Sequence, residues 1–371
     1  MSKPIYGFYS GCNWNNSNIA SIDFTKMDYC VFEYLQATGT DDDTLILQEG
    51  TTALLTEFVA HAKADNPSIK LELCYADGLS GTGKNFHLIK DATHRASIVS
   101  QLHTWMDTYG FDGINLDVEY SPIKSADQIV TPAEYDTFMA DVRTSIGAGK
   151  VLSACLRPME ALSHNNFTTT GEAQLDHNLM MNYTHWVGTG ALENGFDALP
   201  EWYQYTGGSI RGSWQALYKD IIISIQLAIT DGFSASKLFM GIPLIFYPDN
   251  KGIWKSWKWI VDSYAADGLT LTDNIDEWQG ANYGTSYATP WDKLGGVSIY
   301  NNHIWFNNLD TVKQKADYVK SGNLGGVMLY EVGSDSFDSH NILNAVYNEL
   351  QNTTTPPAAQ SMNARKLALI M

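Results

Sequence analysis

The chain has 371 residues, and 41 Asp and Glu against 23 Lys and Arg leave a formal charge of −18. With no run of Lys or Arg to form a basic patch, a balance this acidic excludes binding through phosphate backbones or anionic lipid surfaces. A charged fraction of only 17% beside 11 Trp, 20 Tyr and 14 Phe excludes disorder, and leaves two uses for the aromatics: a large core, or a surface that stacks on flat, uncharged ligands such as sugar rings.

The N-terminal residues MSKPIYGFYSGCNW lack a basic start followed by an apolar run and a small-residue cleavage site. No stretch reaches the ~18 uninterrupted apolar residues of a membrane span. The expectation is a cytoplasmic protein, one exported by another route, or a mature form. Eight short apolar runs then follow as strand candidates: 5–9 (IYGFY), 29–35 (YCVFEYL), 69–75 (IKLELCY), 113–119 (GINLDVE), 151–156 (VLSACL), 178–183 (NLMMNY), 237–245 (KLFMGIPLI) and 325–330 (GGVMLY). Helical patterns lie between them, among others over 91–110, 132–147, 214–232 and 309–322, several ending in Gly as at a C-cap.

Eight β-then-α units with apolar strands predict an α/β fold, a (β/α)8 TIM barrel, with a doubly wound open sheet as the alternative written in the same alphabet. The acidic run Asp41–Asp43 after the second strand reads as a solvated loop. Some 80 residues separate the seventh and eighth strands, too many for one loop and helix, so the reading places an inserted subdomain there. The expected division is 1–244 for the first seven barrel strands, 245–305 for the insertion, 306–350 for the last helix and strand, and 351–371 for a Thr- and Pro-containing tail or linker. Cys12, Cys30, Cys74 and Cys155 form no CxxC pair, which argues against zinc; the last three sit in apolar runs and read as buried thiols.

The segment FDGINLDVEY (111–120) carries the chemistry. Side chains alternate along a strand, so Asn115, Asp117 and Glu119 share one face and Ile114, Leu116 and Val118 the other. In a barrel the helix-facing side is apolar, which turns the polar trio inward, with its end at the C-terminal rim where barrel active sites lie. Two carboxyls ~6.5 Å apart on inward positions raise the pKa of at least one of them, the arrangement an acid catalyst needs.

FDGINLDVEY resembles the catalytic strand of glycoside hydrolase family 18, the chitinases and endo-β-N-acetylglucosaminidases. Its DxxDxDxE pattern is met at three of four positions by Asp112, Asn115, Asp117 and Glu119. The resemblance implies Glu119 as the general acid and Asp117 as the group that orients the substrate's own acetamido carbonyl, which attacks C1 in place of an enzyme nucleophile. The stretch NLMMNYT (178–184) is similar to the family's sixth strand, MxYD, which implies that Met181 lines the site and Tyr183 hydrogen-bonds the acetamido carbonyl. LFMGIPLIFY (238–247) is similar to the seventh strand, which in the family leads into a small α+β chitinase insertion domain. Residues 305–335 resemble its last helix and eighth strand. Together these imply chitin or an N-acetylglucosamine oligosaccharide as ligand, with no cofactor.

Departures from the family pattern are Asn115 for the middle Asp, Thr184 for the Asp of MxYD, Cys74-Tyr75-Ala76-Asp77 for SxGG, and Tyr330 where the sugar floor is usually Trp. In the family the inner Asp shares a proton with the next one; Asn115 has none to share. Tyr330, Tyr6, Tyr34 and Trp254 are the expected sugar-stacking residues. Two further readings stay open on the same scaffold, a glycan-binding lectin that has lost the chemistry and an endo-β-N-acetylglucosaminidase acting on N-glycans. A near match to the phosphate-binding GxxxxGK[ST] at 78–85 ends in Asn85, which lacks the Mg²⁺-binding hydroxyl, and reads as a glycine-rich loop. No His spacing fits a metal site. Partners expected are the sugar alone, with no nucleic acid and no membrane; membership of a larger complex and non-classical export stay open.

Overall fold

Strands flanked by neighbours on both sides and covered on both faces must be apolar nearly throughout, and the eight predicted runs are. The computed structural model describes residues 2–11, 19–39, 41–76, 85–118, 130–156, 166–181, 185–187, 191–193, 221–246, 255–266, 277–278, 304–305, 307 and 309–352. In chain order its strands are β1 (Ile5–Ser10), β2 (Tyr29–Gly39), β3 (Asp42–Leu47), β4 (Lys70–Ala76), β5 (Gly113–Asp117), β6 (Val151–Leu156), β7 (His177–Met180), β8 (His185–Val187), β9 (Ala191–Glu193), β10 (Leu238–Pro243), β11 (Ile245–Phe246), β12 (Lys255–Ser256), β13 (Glu277–Trp278), β14 (Ile304–Trp305) and β15 (Gly326–Tyr330). Its helices are α1 (Thr52–Asp65), α2 (Ala92–Tyr109), α3 (Pro132–Ile146), α4 (Thr169–Glu172), α5 (Ile221–Thr230), α6 (Trp257–Ala266), α7 (Leu309–Ser321) and α8 (Ile342–Gln351).

Strands β1, β2, β4, β5, β6, β7, β10 and β15 pair in parallel, each with the next, and β15 returns to β1. This closure makes the (β/α)8 barrel and excludes the open doubly wound sheet. Helix ends follow local chemistry. The Asp91 side chain accepts from the Thr93 and His94 amides to start α2, and Gly110 in the left-handed region (φ 77°) ends it. Thr131 and Glu134 form a reciprocal capping box around Pro132 to start α3.

The acidic run Asp41–Asp43 is not simply a loop. Asp42 and Asp43 open β3, which pairs antiparallel with the end of β2, Gly39 opposite Asp42 and Leu35 opposite Leu47. What holds it is the buried Leu45, while Asp43 accepts from the His94 ring at 2.7 Å and the Ser97 hydroxyl at 3.1 Å.

The alternation predicted for residues 113–119 divides the core in two. Ile114, Leu116 and Val118 lie in the large cluster between barrel and helices, whereas Phe8, Val31, Cys74, Cys155, Leu179 and Met328 fill the barrel interior. Cys30, Cys74 and Cys155 are buried free thiols; Cys12 lies outside the described residues. Much of 245–305 also lies outside them, as does the tail after residue 352. Within that segment β11 pairs with β12 and β13 with β14. Helix α6 buries Trp257, Ile260 and Val261 in the large cluster, and the Trp257 indole N–H donates to the His340 carbonyl at 2.6 Å, so this part of the segment is packed on the barrel. Among the described residues no helix is long and apolar enough to cross a membrane.

Candidate active site

Parallel strands in a closed barrel end together, so the last inward residue of each strand opens on one common mouth. Asp117 is that residue on β5, in register with Ala76 of β4, two positions beyond the wholly buried Asn115. The backbone on either side of it is held firmly. The Tyr135 hydroxyl donates to the Leu116 carbonyl at 3.2 Å, and the Asn166 amide donates to the carbonyls of Val118 (3.2 Å) and Cys155 (2.8 Å), clamping the ends of β5 and β6 together. Asn166 is buried in this task.

Below Asp117 a polar chain crosses the barrel. The Asn115 Nδ2 donates to Ser153 Oγ at 2.7 Å, Ser153 Oγ donates to Glu72 Oε2 at 2.6 Å, the Tyr6 hydroxyl donates to Glu72 Oε1 at 2.6 Å, and His177 Nδ1 lies 2.7 Å from the same hydroxyl. Burial pushes the Glu72 carboxyl up to about 8 although Ser153 and Tyr6 hydrogen bonds oppose the shift. Burial also brings His177 down to about 4 and holds the Tyr6 hydroxyl well above its ordinary value. Burial thus favours the neutral form of each of these groups.

Further buried carboxyls gather at the mouth. Glu33 of β2 is buried, and the Tyr330 hydroxyl donates to its Oε2 at 3.2 Å. Glu331 accepts from the Ser10 amide at 3.3 Å and from the Ser334 hydroxyl, and the Ser10 hydroxyl donates to Glu49. Burial raises Glu331 to about 7. The Tyr330–Glu331 peptide is cis.

The sequence matches the family described as "Glycosyl hydrolases family 18" across residues 5–335, nearly the whole barrel. The chain belongs to this family. Among curated proteins it is similar to Chitotriosidase-1 of Mus musculus, 23% identical over 362 residues with 88% of this chain and 72% of that protein covered. It is likewise similar to Chitinase B of Serratia marcescens, 23% identical over 339 residues with 74% and 66% covered. Among solved structures it shares its fold with the Group IV chitinase of Ostrinia furnacalis, at a TM-score of 0.73 and 14% identity over 94% of this chain and 98% or more of that one. The fold is also that of the class V chitinase of Nicotiana tobaccum solved in complex with NAG4, at a TM-score of 0.68 and 18% identity over 95% of this chain and 99% of that one.

Against the family 18 motif the structure separates the expected residues. Asp117, Tyr330 and Met181 come together at the mouth; Met181 follows β7, its amide donating to the Leu156 carbonyl at 2.9 Å, and packs against the interior cluster. Glu119, Tyr183, Thr184 and Trp254 lie outside the described residues, as do 78–84 of the glycine-rich loop. Two stacking expectations need correction. Tyr6 is 0% exposed, its ring stacked on Tyr29 at 4.4 Å and edge-on to Phe239, so it has no face to offer a sugar; Tyr34 is 4% exposed in the interior cluster.

Asp112 is the other correction. It precedes β5 at the opposite, N-terminal end of the barrel, accepting from Lys63 Nζ at 2.6 Å and the Leu71 amide at 3.0 Å. Burial opposes its ionisation, but these hydrogen bonds and the charges of Lys63 and Lys70 hold the carboxyl below its ordinary value. Its work is to tie α1 and β4 to the start of β5. Asp112→Ala is expected to lower unfolding free energy by about 2 kcal/mol, the scale of a hydrogen-bonded, partly buried charge, read as a lower urea midpoint at unchanged m-value.

Glu33, Glu72, Ser153, His177 and Glu331 are the site residues that sequence reading passed over. Glu72 had a signal: in IKLELCY it shares parity with Cys74, as Asn115 does with Asp117 in the segment that was read. Among the described residues no group of His, Cys, Asp and Glu is arranged to hold a metal ion.

Proposed function

We propose that this protein hydrolyses the β-1,4 bonds of N-acetylglucosamine polymers, chitin and its oligosaccharides, by substrate-assisted retention. The observation that carries the reading is Asp117: a carboxyl at the C-terminal end of β5, on the inward face, in a closed family 18 barrel and two residues before Glu119. In this reading Glu119 gives its proton to the glycosidic oxygen as the bond from C1 to that oxygen breaks. The substrate's acetamido oxygen forms the new bond to C1, with Asp117 and Tyr183 holding the acetamido group in place. Water then attacks C1, Glu119 takes its proton, and the acetamide is restored with net retention. Tyr330 supplies the aromatic surface under the sugar and Met181 lines its side. The tobacco relative's complex with NAG4 supports an oligosaccharide of this kind as ligand.

One observation favours a second reading. Asn115 spends its amide on Ser153 and cannot carry a proton, which suits a sugar-binding protein that no longer hydrolyses. Release of chromophore from a chitooligosaccharide by wild type and by Glu119→Gln separates the two. The expected result is release by wild type and at least about 10³-fold less by the variant, with binding retained. Binding by both without release by wild type between about pH 4 and 9 replaces the hydrolase with the lectin. Equal release by both removes Glu119 from its role, and faster cleavage of an N-glycan core than of chitooligosaccharide identifies an endo-β-N-acetylglucosaminidase.

A further inference from the structure

Tyr330 stands where the sugar floor of the family is usually Trp. A phenol is smaller than an indole and ends in a hydroxyl, and the structure answers both differences. Tyr330 closes β15 with its carbonyl accepting from the Leu244 amide at 2.6 Å, and the carboxyl of the next residue, Glu331, accepts from the Ser10 amide at the end of β1. From this fixed backbone the ring leans on Phe8 of β1, centroids 5.7 Å apart and planes tilted by 56°. Its hydroxyl then donates to Glu33 Oε2 of β2 at 3.2 Å. Strand β1 lies between β15 and β2, so the contact joins two strands about 9.5 Å apart from axis to axis.

Glu33 is set for this contact by its own strand. It pairs in register with Ser10 and keeps the parity of Tyr29 and Val31, which border and fill the barrel interior, so it faces inward at the level where β1 ends. It is only 3% exposed. A carboxyl is a costly way to fill an interior that is otherwise apolar, so packing alone does not account for it. A half-buried phenol, in turn, needs an acceptor for its hydroxyl, and each group meets the other's need. Burial holds the Glu33 carboxyl well above its ordinary value, the charges of Asp117, Glu49 and Glu331 adding to the shift and the Tyr330 hydroxyl opposing it. Burial therefore favours the neutral acid, whose shape Gln reproduces.

We propose that Glu33 is a positioning residue for the sugar floor: by holding the Tyr330 hydroxyl across the end of β1 it fixes the phenol ring in one orientation, so that a Tyr–Glu pair from two strands provides the rigid stacking surface that an indole provides alone. This role rests on the sugar binding proposed above and not on hydrolysis. A ring already fixed loses no side-chain freedom when the sugar arrives. Because it stacks on the sugar before and during the reaction alike, the gain falls on binding rather than on kcat.

The test uses the Glu119→Gln protein, in which bound oligosaccharide stays uncleaved, and adds Glu33→Gln, Glu33→Ala, Tyr330→Phe or the last two together. Calorimetry with the N-acetylglucosamine tetramer reads binding. Glu33→Gln, whose amide oxygen still accepts from Tyr330, is expected to bind within about twofold of the parent, and Glu33→Ala and Tyr330→Phe about three- to tenfold more weakly. The double variant is expected to bind no more weakly than either single one, since both break the same hydrogen bond. In proteins that keep Glu119, KM is expected to rise by the same factor with kcat within about threefold. Without sugar, the ring Cζ signal of carbon-13-labelled Tyr330, assigned from Tyr330→Phe, is expected to move in Glu33→Ala and hold in Glu33→Gln. A Glu33→Ala protein that binds as the parent does, or whose Tyr330 signal stays in place, overturns the proposal. So does Glu33→Gln binding as weakly as Glu33→Ala, because a held ring is then not the cause. If Glu33→Ala fails to fold, Tyr330→Phe decides, and binding equal to the parent overturns the proposal. Binding by the parent without hydrolysis by wild type overturns the hydrolase and leaves the Tyr–Glu pair standing, whereas no binding by any of these proteins overturns the sugar reading and this role with it.

Discussion

Asp117→Asn is expected to lower kcat on chitooligosaccharides by about 10²- to 10³-fold, a loss of about 3–4 kcal/mol of transition-state stabilisation, with KM within a few-fold of wild type. The reasoning starts from position. Asp117 ends β5 with its backbone fixed by Tyr135 and Asn166, and is the inward carboxyl of that strand at the mouth. In the proposed reaction positive charge develops on C1 and on the acetamido group as its oxygen closes on C1. A carboxylate beside that group is worth more in the transition state than in the ground state, which is the condition for raising kcat rather than affinity. Asn keeps the shape and a carbonyl acceptor but cannot carry the charge or give up a proton. Steady-state rates on a chromogenic oligosaccharide check this, with binding of the uncleaved sugar measured separately by calorimetry. A variant within about threefold of wild-type kcat removes Asp117 from the chemistry. A variant that loses binding and keeps kcat shows a role in holding substrate alone.

The contrast between what was and was not legible before the structure follows from what strand alternation can encode. Parity alone places Asn115 and Asp117 inside and Ile114, Leu116 and Val118 against the helices, and the structure has them so. Parity also turns Tyr6 inward, but carries no depth. Tyr6 lies in the floor beside Tyr29 and His177, which only the stagger of closed strands determines. Glu33 keeps the parity of Tyr29 and Val31 and so faces inward like them, while the register slip against β4 turns its neighbour Tyr34 inward as well, which parity alone does not reveal. Asp41–Asp43 reads as a loop because the first half of β3, Asp42 to Thr44, is wholly polar and the strand fully buries only Leu45. Asp112 matches the first position of a catalytic motif, yet the motif is a linear pattern on a strand whose two ends serve opposite ends of the barrel, one for anchoring and the other for chemistry.

Glu72→Gln is expected to make the protein more stable at alkaline pH and leave it nearly unchanged at acid pH. Glu72 has an ordinary carboxyl value of 4.5 and a folded value of about 8, raised by burial between Ser153 and Tyr6. Between those values the folded chain holds a proton that the unfolded chain has released, so unfolding stability falls as pH rises. Its stabilising contribution is complete below about 4.5 and gone above about 8. Glu331 and Asp335, both raised to about 7 by burial, slope the same way. His177 slopes oppositely: lowered to about 4 by burial, it costs stability as pH falls from its ordinary 6.5. Wild type should thus be most stable near about pH 5–6 and weaken toward about pH 8.5. Gln in place of Glu72 has the shape of the protonated acid, accepting from Ser153 and donating to the Tyr6 oxygen, with no proton to lose. The gain at about pH 8.5 is on the order of 2–3 kcal/mol, below the full linkage value because a strained buried carboxylate draws in water. Urea denaturation followed by tryptophan fluorescence at about pH 5 and about pH 8.5 measures it. Wild-type and variant stabilities that run parallel across that range would mean that Glu72 is already ionised in the folded barrel and that the floor beneath Asp117 is charged.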